Sequence, residues 1–219
     1  VLFRSIKVYP SSINIKTIQN KSIQKNFYLS NKLPSSYFKT FKNTKELITE
    51  AETEKCKFPF VWKSARFGYD GKGQRHVSSE AELEAAINDL NREICVLERL
   101  MPLSCEISVI VARGSDGELT SFPVSENRHV NGILDISIVP ARISGELAQQ
   151  ANDIATQVAE KLNYQGVLCV EFFVLEDGQL LINEIAPRPH NSGHYSIDAC
   201  FTSQFEQHLR AILGIELNN

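Results

Sequence analysis

An α+β fold follows from three features of this 219-residue chain. Antiparallel hairpins are written in its second half, helices of amphipathic spacing stand apart from them, and the alternation that builds a doubly wound parallel sheet is missing. The clearest hairpin joins residues 167–175 to residues 179–185 through Asp177-Gly178, read as a two-residue turn. If Glu176 pairs with Gln179, residue numbers across the ladder keep a constant sum, and Glu171 falls opposite Glu184.

The other elements follow in chain order. Residues 12–31 carry Ile15, Ile18, Ile23 and Phe27 at helical spacing, and Pro34 stops that helix. Residues 58–63 read as a strand that runs into the glycine-rich stretch 66–74. Ser79 and Glu82 form a capping box for a helix through Leu90, and residues 94–98 return as a strand. A second hairpin places residues 105–113 against 118–124 around the turn 114–117. Ser144 opens an amphipathic helix with Leu147, Ala151, Ile154, Val158 and Leu162 on one face, ending near Gly166. A polar loop behind the 167–185 hairpin leads to a final helix over residues 196–213.

Composition narrows the function classes. A net charge of −3 gives no imbalance that would favour nucleic acid or a membrane surface. The lysines between Lys7 and Lys57 are interleaved with Ser, Asn and Thr and read as a solvated face. Five cysteines (Cys56, Cys95, Cys105, Cys169, Cys200) are widely spaced without a Cys-x-x-Cys pair. They read as reduced core residues of a cytoplasmic protein. No apolar run has the length of a membrane span, and the first residues lack the plan of a signal peptide.

Several residues carry candidate chemistry. Like charges facing across a ladder repel, so Glu171 and Glu184 either face solvent or hold a divalent cation such as magnesium through oxygen ligands. The stretch Gly68-Tyr69-Asp70-Gly71-Lys72-Gly73-Gln74 lies between two strands, which excludes the dinucleotide and Walker fingerprints. It reads as a phosphate-approaching flap, with an ordinary surface hairpin as the alternative. Lys63 ends an apolar strand and needs an anionic partner, for which a nucleotide phosphate is suited, with a plain structural lysine as the alternative. Glu98-Arg99-Leu100-Met101 leaves a strand where backbone groups can meet an adenine edge. Glu106 can take a ribose hydroxyl, with an edge-strand glutamate facing water as the alternative. Behind Glu184, the proline-stiffened loop 186–194 offers Arg188 for a phosphate and His190, Asn191 and His194 for a small substrate.

Taken together, Tyr69-Asp-Gly-Lys-Gly-Gln74 and Asn183-Glu-Ile-Ala-Pro-Arg-Pro-His-Asn-Ser-Gly-His194 strongly resemble the 5-(carboxyamino)imidazole ribonucleotide synthase family of the ATP-grasp superfamily. The likeness runs from about Tyr9 to Leu217. It implies an ATP-grasp fold divided into an N-terminal segment and linker helix (1–33), a lid subdomain (34–97) and a core subdomain (98–219). It implies an ATP site formed by Lys21, Lys63, Gly68 to Gln74, Glu98 to Met101, Glu106, His129, Asn183 and Glu184. Magnesium, with manganese as a substitute, would sit on Glu171 and Glu184. The implied reaction uses ATP and bicarbonate to carboxylate 5-aminoimidazole ribonucleotide through carboxyphosphate. Tyr69, Asp70, Arg188, His190 and Asn191 would face the ribonucleotide and carboxyl donor, with Lys72, Arg188, His190 and Asn191 catalytic. A dimeric full-length parent is also implied.

Three departures from the family pattern stand out. Lys21 replaces an arginine, Trp62 and Phe67 are bulkier than usual, and the flanking N-terminal and C-terminal parts of the family are not represented. The chain is therefore expected to be a fragment, with residues 1–5 unrelated to the family. A formate-using glycinamide ribonucleotide transformylase and a nucleotide-binding module without catalysis are the alternative functions.

Overall fold

A computed structural model describes residues 7–41, 59–66, 73–89 and 94–218. Two antiparallel sheets organise them, in agreement with the α+β expectation. One has four strands in the order β1 (Phe38–Phe41), β4 (Cys95–Arg99), β2 (Phe60–Ser64) and β3 (Gln74–Val77). The other has six. Its order is β10 (Leu180–Ala186), β9 (Gly166–Leu175), β5 (Leu103–Arg113), β7 (Ser125–Val130) and β8 (Ile133–Ile138), with β6 (Leu119–Ser121) added to β5.

The helices are α1 (Ser12–Ile18), α2 (Lys21–Ser30), α3 (Glu80–Asp89), α4 (Gly145–Lys161), α5 (Ser196–Ala199) and α6 (Gln204–Leu213). Among the described residues, no helix is long and apolar enough to cross a membrane. The single helix expected over residues 12–31 is two. Asn20 breaks it by adopting an extended backbone and accepting from the Ser22 and Ile23 amides, which caps α2. The final helix is likewise split, because Ser203 caps α6 through the Glu206 amide after an extended Cys200.

The return strand 118–124 is shorter than expected, and a hairpin follows it. Leu119–Ser121 pairs with the far end of β5, whereas Ser125 begins a new strand beside Glu106–Ser108. Asn131 and Gly132, with φ of 53° and 78°, turn β7 into β8. Asn-Gly at a two-residue loop is the usual signal for such a turn.

The six-stranded sheet is covered on both faces. On α4, Ala151, Ile154, Ala155 and Val158 recur at helical spacing and pack on Ile107, Val109 and Val111 of β5 and Leu168, Val170, Phe172 and Val174 of β9. Each large apolar side chain so buried contributes about 1.5–3 kcal/mol. The opposite face of the same strands presents Ile110, Ala112, Val167 and Cys169 to Ala211 of α6 and to Leu217. Glu106, Ser108 and Glu171 belong to this second face by the alternation of strand side chains.

The β9–β10 hairpin reaches its register differently from the sequence reading. Its loop is Glu176-Asp177-Gly178: the Gly178 amide donates to Leu175 O, the Leu175 amide donates to Gln179 O, both at 2.9 Å, and Gly178 has φ +83°. This is a three-residue loop with a left-handed closing residue, so Leu180 pairs with Val174 and Ile182 with Phe172. A bulge between Ile182 and Glu184 then restores the expected sum, and Glu184 does pair with Glu171. Without it, alternation through Asn183 would turn Glu184 into the core beside Leu180 and Ile182.

Gly178→Ala should therefore lower stability by about 1 kcal/mol, and Gly178→Asn by less, since asparagine tolerates the left-handed region. Urea denaturation of the three proteins measures this. Equal midpoints for parent and the alanine variant would contradict the three-residue loop.

Candidate active site

A row of side chains crosses the six-stranded sheet on the face away from α4. Register aligns Glu184 of β10, Glu171 of β9, Ser108 of β5 and Ser125 of β7. Glu106 and Asn127 form the next pair along β5 and β7. Each acidic group has a basic neighbour. Lys21 Nζ lies 2.5 Å from Glu184 Oε2, His190 Nε2 2.9 Å from Glu171 Oε1, and His129 Nδ1 3.0 Å from Glu106 Oε2. The Glu106 carboxylate beside the ring, against burial, raises the His129 pKa.

Helix α2 ties this row to the four-stranded sheet. Lys21 starts the helix and its amide donates to Ala65 O, while Lys25, one turn later, reaches Glu98 of β4. The Glu98 carboxylate takes Lys25 at 3.0 Å, Lys63 of β2 at 3.3 Å and the Ser36 hydroxyl at 3.1 Å. Glu98 and Lys25 are 3% and 2% exposed. Burial pushes the Glu98 pKa up, but Lys63 and Lys25 outweigh it and hold the carboxyl at about 2. Burial lowers the pKa of Lys25 despite Glu98. At the other end of the helix face, burial opposes charge on both Lys21 and Glu184. Their mutual attraction prevails, raising the lysine and lowering the glutamate.

Lys25 corrects the expectation of a solvated lysine face. The buried positions of α2 are Gln24, Lys25 and Tyr28, not Ile23 and Phe27, which are half-buried. Polar groups go inward because each finds a partner: Gln24 donates to Ile18 O and accepts from the Tyr28 hydroxyl.

The loop after β10 is held by buried polar contacts. Gln204 of α6 accepts from the His190 amide at 2.8 Å and donates to His190 O at 2.7 Å. A Cβ at Gly193 would stand 2.1 Å from Ile110 Cδ1 and 2.6 Å from Gln204 Oε1, so only glycine fits there. Around the ring, Ser192 Oγ lies 2.8 Å from His190 Nδ1. Burial lowers the pKa of His190, while the Cys169 sulfur and the Glu171 carboxylate push it up to about 10.

The remaining expected site residues divide by position. Arg188 and Asn191 are exposed, with Arg188 Nη1 donating to Pro189 O, and His194 stacks on Phe205 with ring centroids 5.9 Å apart. Arg99 is exposed, while Leu100, Met101 and Asn183 are half-buried. Gly73 accepts from the Ser64 amide, and Gln74 pairs with Lys63 across β2 and β3. Phe67, Gly68, Tyr69, Asp70, Gly71 and Lys72 lie outside the described residues. Cys95 and Cys169 are buried as expected, but Cys105 and Cys200 are only half-buried.

Lys25, Ser36, Ser108, Asn127, Ser192 and Gln204 join the site without having been singled out from sequence. For Lys25 a signal existed, its spacing of four from Lys21. Ser108 interrupts an apolar strand, a weaker signal. Nothing in the sequence pattern marks Gln204.

Two facing carboxylates suit a divalent cation. Lys21 stands in the field of both, as an ammonium drawn to the position where positive charge is wanted. Among the described residues no cluster of three or more His, Cys, Asp or Glu is suited to a metal. Two protein ligands plus phosphate and water oxygens is the pattern usual for magnesium.

The sequence profile of the ATP-grasp domain matches residues 26–205. N5-carboxyaminoimidazole ribonucleotide synthase of Bacillus subtilis is 48% identical over 184 residues, covering 84% of this chain and 47% of that protein. Phosphoribosylaminoimidazole carboxylase of Saccharomyces cerevisiae is 38% identical, covering 97% of this chain and 37% of that protein. The chain thus spans at most about half the length of these curated relatives. Among solved structures, N5-carboxyaminoimidazole synthetase from Staphylococcus aureus complexed with ADP superposes with a TM-score of 0.92 at 35% identity, covering 100% of this chain and 57% of that one. The Aspergillus clavatus N5-carboxyaminoimidazole synthase in complex with ADP and 5-aminoimidazole ribonucleotide gives 0.91 at 33% identity, covering 99% and 57%.

Glu98→Gln should cost about 3 kcal/mol at neutral pH, since the carboxyl pKa falls from 4.5 to about 2 on folding. A depressed carboxyl pKa contributes its full stability above about 4.5. The contribution is lost as pH falls toward about 2, so the gap between parent and variant should close over that interval. Urea denaturation at a series of pH values measures the gap. A gap independent of pH would contradict the charged Glu98 arrangement.

Proposed function

The chain belongs to the ATP-grasp family, and from that premise we propose that its site serves the ATP-dependent carboxylation of 5-aminoimidazole ribonucleotide. The products are 5-(carboxyamino)imidazole ribonucleotide, ADP and phosphate, a step of purine synthesis. Support comes from the relatives' names and from the ADP and aminoimidazole ribonucleotide complexes of its structural neighbours. The single observation that carries the reading is the facing pair Glu171 and Glu184, flanked by Lys21, Lys63 and the His190 loop.

In this reading a bicarbonate oxygen attacks the terminal phosphorus of ATP, ADP departs, and carboxyphosphate delivers its carboxyl group to the ribonucleotide amine with loss of phosphate. The chain's residues position and neutralise rather than attack. Lys21 and Lys63 exchange their glutamates for phosphate oxygens, which keeps their charge compensated throughout. Glu171 and Glu184 hold magnesium, or manganese in its place, and the cation offsets phosphate charge. Glu106 and His129 meet the ribose and base side, together with the Glu98 to Met101 backbone and Asn183. Arg188, His190 and Asn191 take the ribonucleotide and the carboxyl donor, with Tyr69, Asp70 and Lys72 from the flap. The 34–97 and 98–219 segments act as lid and core. A cytoplasmic setting and a dimeric full-length protein complete the proposal.

Because the chain spans about half of its relatives, nucleotide binding without turnover is the second reading. Phosphate release is measured with magnesium, ATP and bicarbonate, with and without aminoimidazole ribonucleotide, for the chain and for Glu184→Gln. Release that depends on the ribonucleotide and falls at least tenfold in the variant is expected. Nucleotide binding with no release favours the second reading. Release that depends on formate instead contradicts the carboxylation.

A further inference from the structure

Two buried glutamines of α6, one turn apart, make the same kind of contact with different segments. Gln204 and Gln207 are 0% and 1% exposed. Gln207 Nε2 donates to Asn218 O at 2.6 Å, and its Oε1 accepts from the Asn218 amide at 3.3 Å. Gln204 does the same to His190, accepting from its amide at 2.8 Å and donating to its carbonyl at 2.7 Å. A peptide N–H only donates and a carbonyl only accepts, so an amide side chain turned one way answers both.

The two clamps differ in what they hold. Asn218 follows α6 and lies outside the residues assigned to the site. His190 stands in the middle of the loop that carries Arg188 and Asn191, both exposed. Its backbone is extended, with φ −122° and ψ 152°, and leads into the turn at Asn191–Gly193. Because Gln204 takes its N–H and its C=O together, both peptide planes that meet at His190 are fixed. Arg188, His190 and Asn191 project from the chain at and beside those planes.

Gln204 is held in turn. Ser196, 0% exposed, donates through Oγ to Gly193 O at 2.6 Å and accepts from the Gln204 amide at 2.9 Å. On the sheet side the loop is tied at Ser192, whose Oγ lies 2.7 Å from Ser108 Oγ; Asn127 Nδ2 donates to Ser108, and Ser137 donates to Asn127. That tie acts on a side chain of the turn, whereas Gln204 acts on the backbone between Arg188 and Asn191.

We propose that Gln204 is a positioning residue for the substrate, setting through the His190 backbone where Arg188, His190 and Asn191 meet the ribonucleotide. The identity of the substrate rests on the carboxylation reading above, and the clamp on the loop does not. Side chains that grip a ligand work only when a rigid support holds them in place, and a loop prepared in advance spares the ligand the cost of ordering it.

Gln207 supplies the comparison, since it has equal burial and equivalent contacts but holds no site residue. In the 219-residue chain, Gln204→Met and Gln207→Met should lower the midpoint of thermal unfolding to a similar degree, because each strands a buried donor and acceptor. Affinity should separate them. The dissociation constant for 5-aminoimidazole ribonucleotide, by calorimetry, should rise about 10–100-fold in Gln204→Met, as expected when gripping groups shift by about an ångström. In Gln207→Met it should stay within about twofold of the parent, because the change is remote from the site. The His190 amide should exchange its hydrogen at least about tenfold faster in Gln204→Met than in the parent or Gln207→Met. Ser196→Ala, a milder change, should move affinity and exchange in the same direction.

Equal ribonucleotide affinity in the two methionine variants overturns the proposal, as does a His190 amide still protected in Gln204→Met. If Gln204→Met does not fold, Ser196→Ala decides, and parental affinity and exchange in that variant overturn the proposal. A parent without affinity for the ribonucleotide sinks the carboxylation reading instead, and faster His190 exchange in Gln204→Met then supports the clamp on the loop.

Discussion

Glu171 and Glu184 are held on one face of the six-stranded sheet by the bulge at Asn183, and the cations around them follow from that placement. Two carboxylates on adjacent strands repel, and the sheet leaves them no room to separate. Lys21 answers one and His190 the other, each brought in by a different segment of chain. The bulge also keeps Ile182 and Ile185 in the core while Glu184 points out of it. A local irregularity thereby reconciles the demand of packing with that of charge.

The same reasoning explains α2. Helix α2 anchors in the core through Tyr28, but burying Lys25 beside it adds little, because a buried ion pair is often no better for stability than an apolar substitute. What the arrangement secures is position. Lys21 and Lys25, one turn apart, connect β10 of one sheet to β4 of the other, and Glu98 joins Lys25 to Lys63. Glu98, Lys25 and Lys63 form a buried cluster of compensated charge, and Lys21 and Glu184 pair at its half-buried edge.

Much of this was legible in the sequence, though not always for the right reason. The 167–185 hairpin and its facing glutamates were expected, yet a loop one residue longer and a compensating bulge produced them, and two cancelling irregularities leave no trace in a strand pattern. Apolar periodicity pointed α2 the wrong way because it weighs Ile23 and Phe27 but cannot see that Glu98, distant in sequence, awaits Lys25. The Asn131-Gly132 turn was available as a signal and marks the hairpin that brings in Asn127 and Ser137. Ser192 and Gln204 were beyond reach, since their importance lies in contacts between segments that only the fold brings together.

The central claim is that Glu171 and Glu184 form one cation site whose present partners give way to it. A crystal structure of the chain with manganese and ADP, with the metal located by its anomalous scattering, tests this most directly. The account predicts one manganese within about 2.0–2.4 Å of an oxygen from each carboxylate, with Lys21 moved from Glu184 onto a phosphate oxygen. Manganese bound elsewhere, with the Lys21–Glu184 pair still closed, would contradict it.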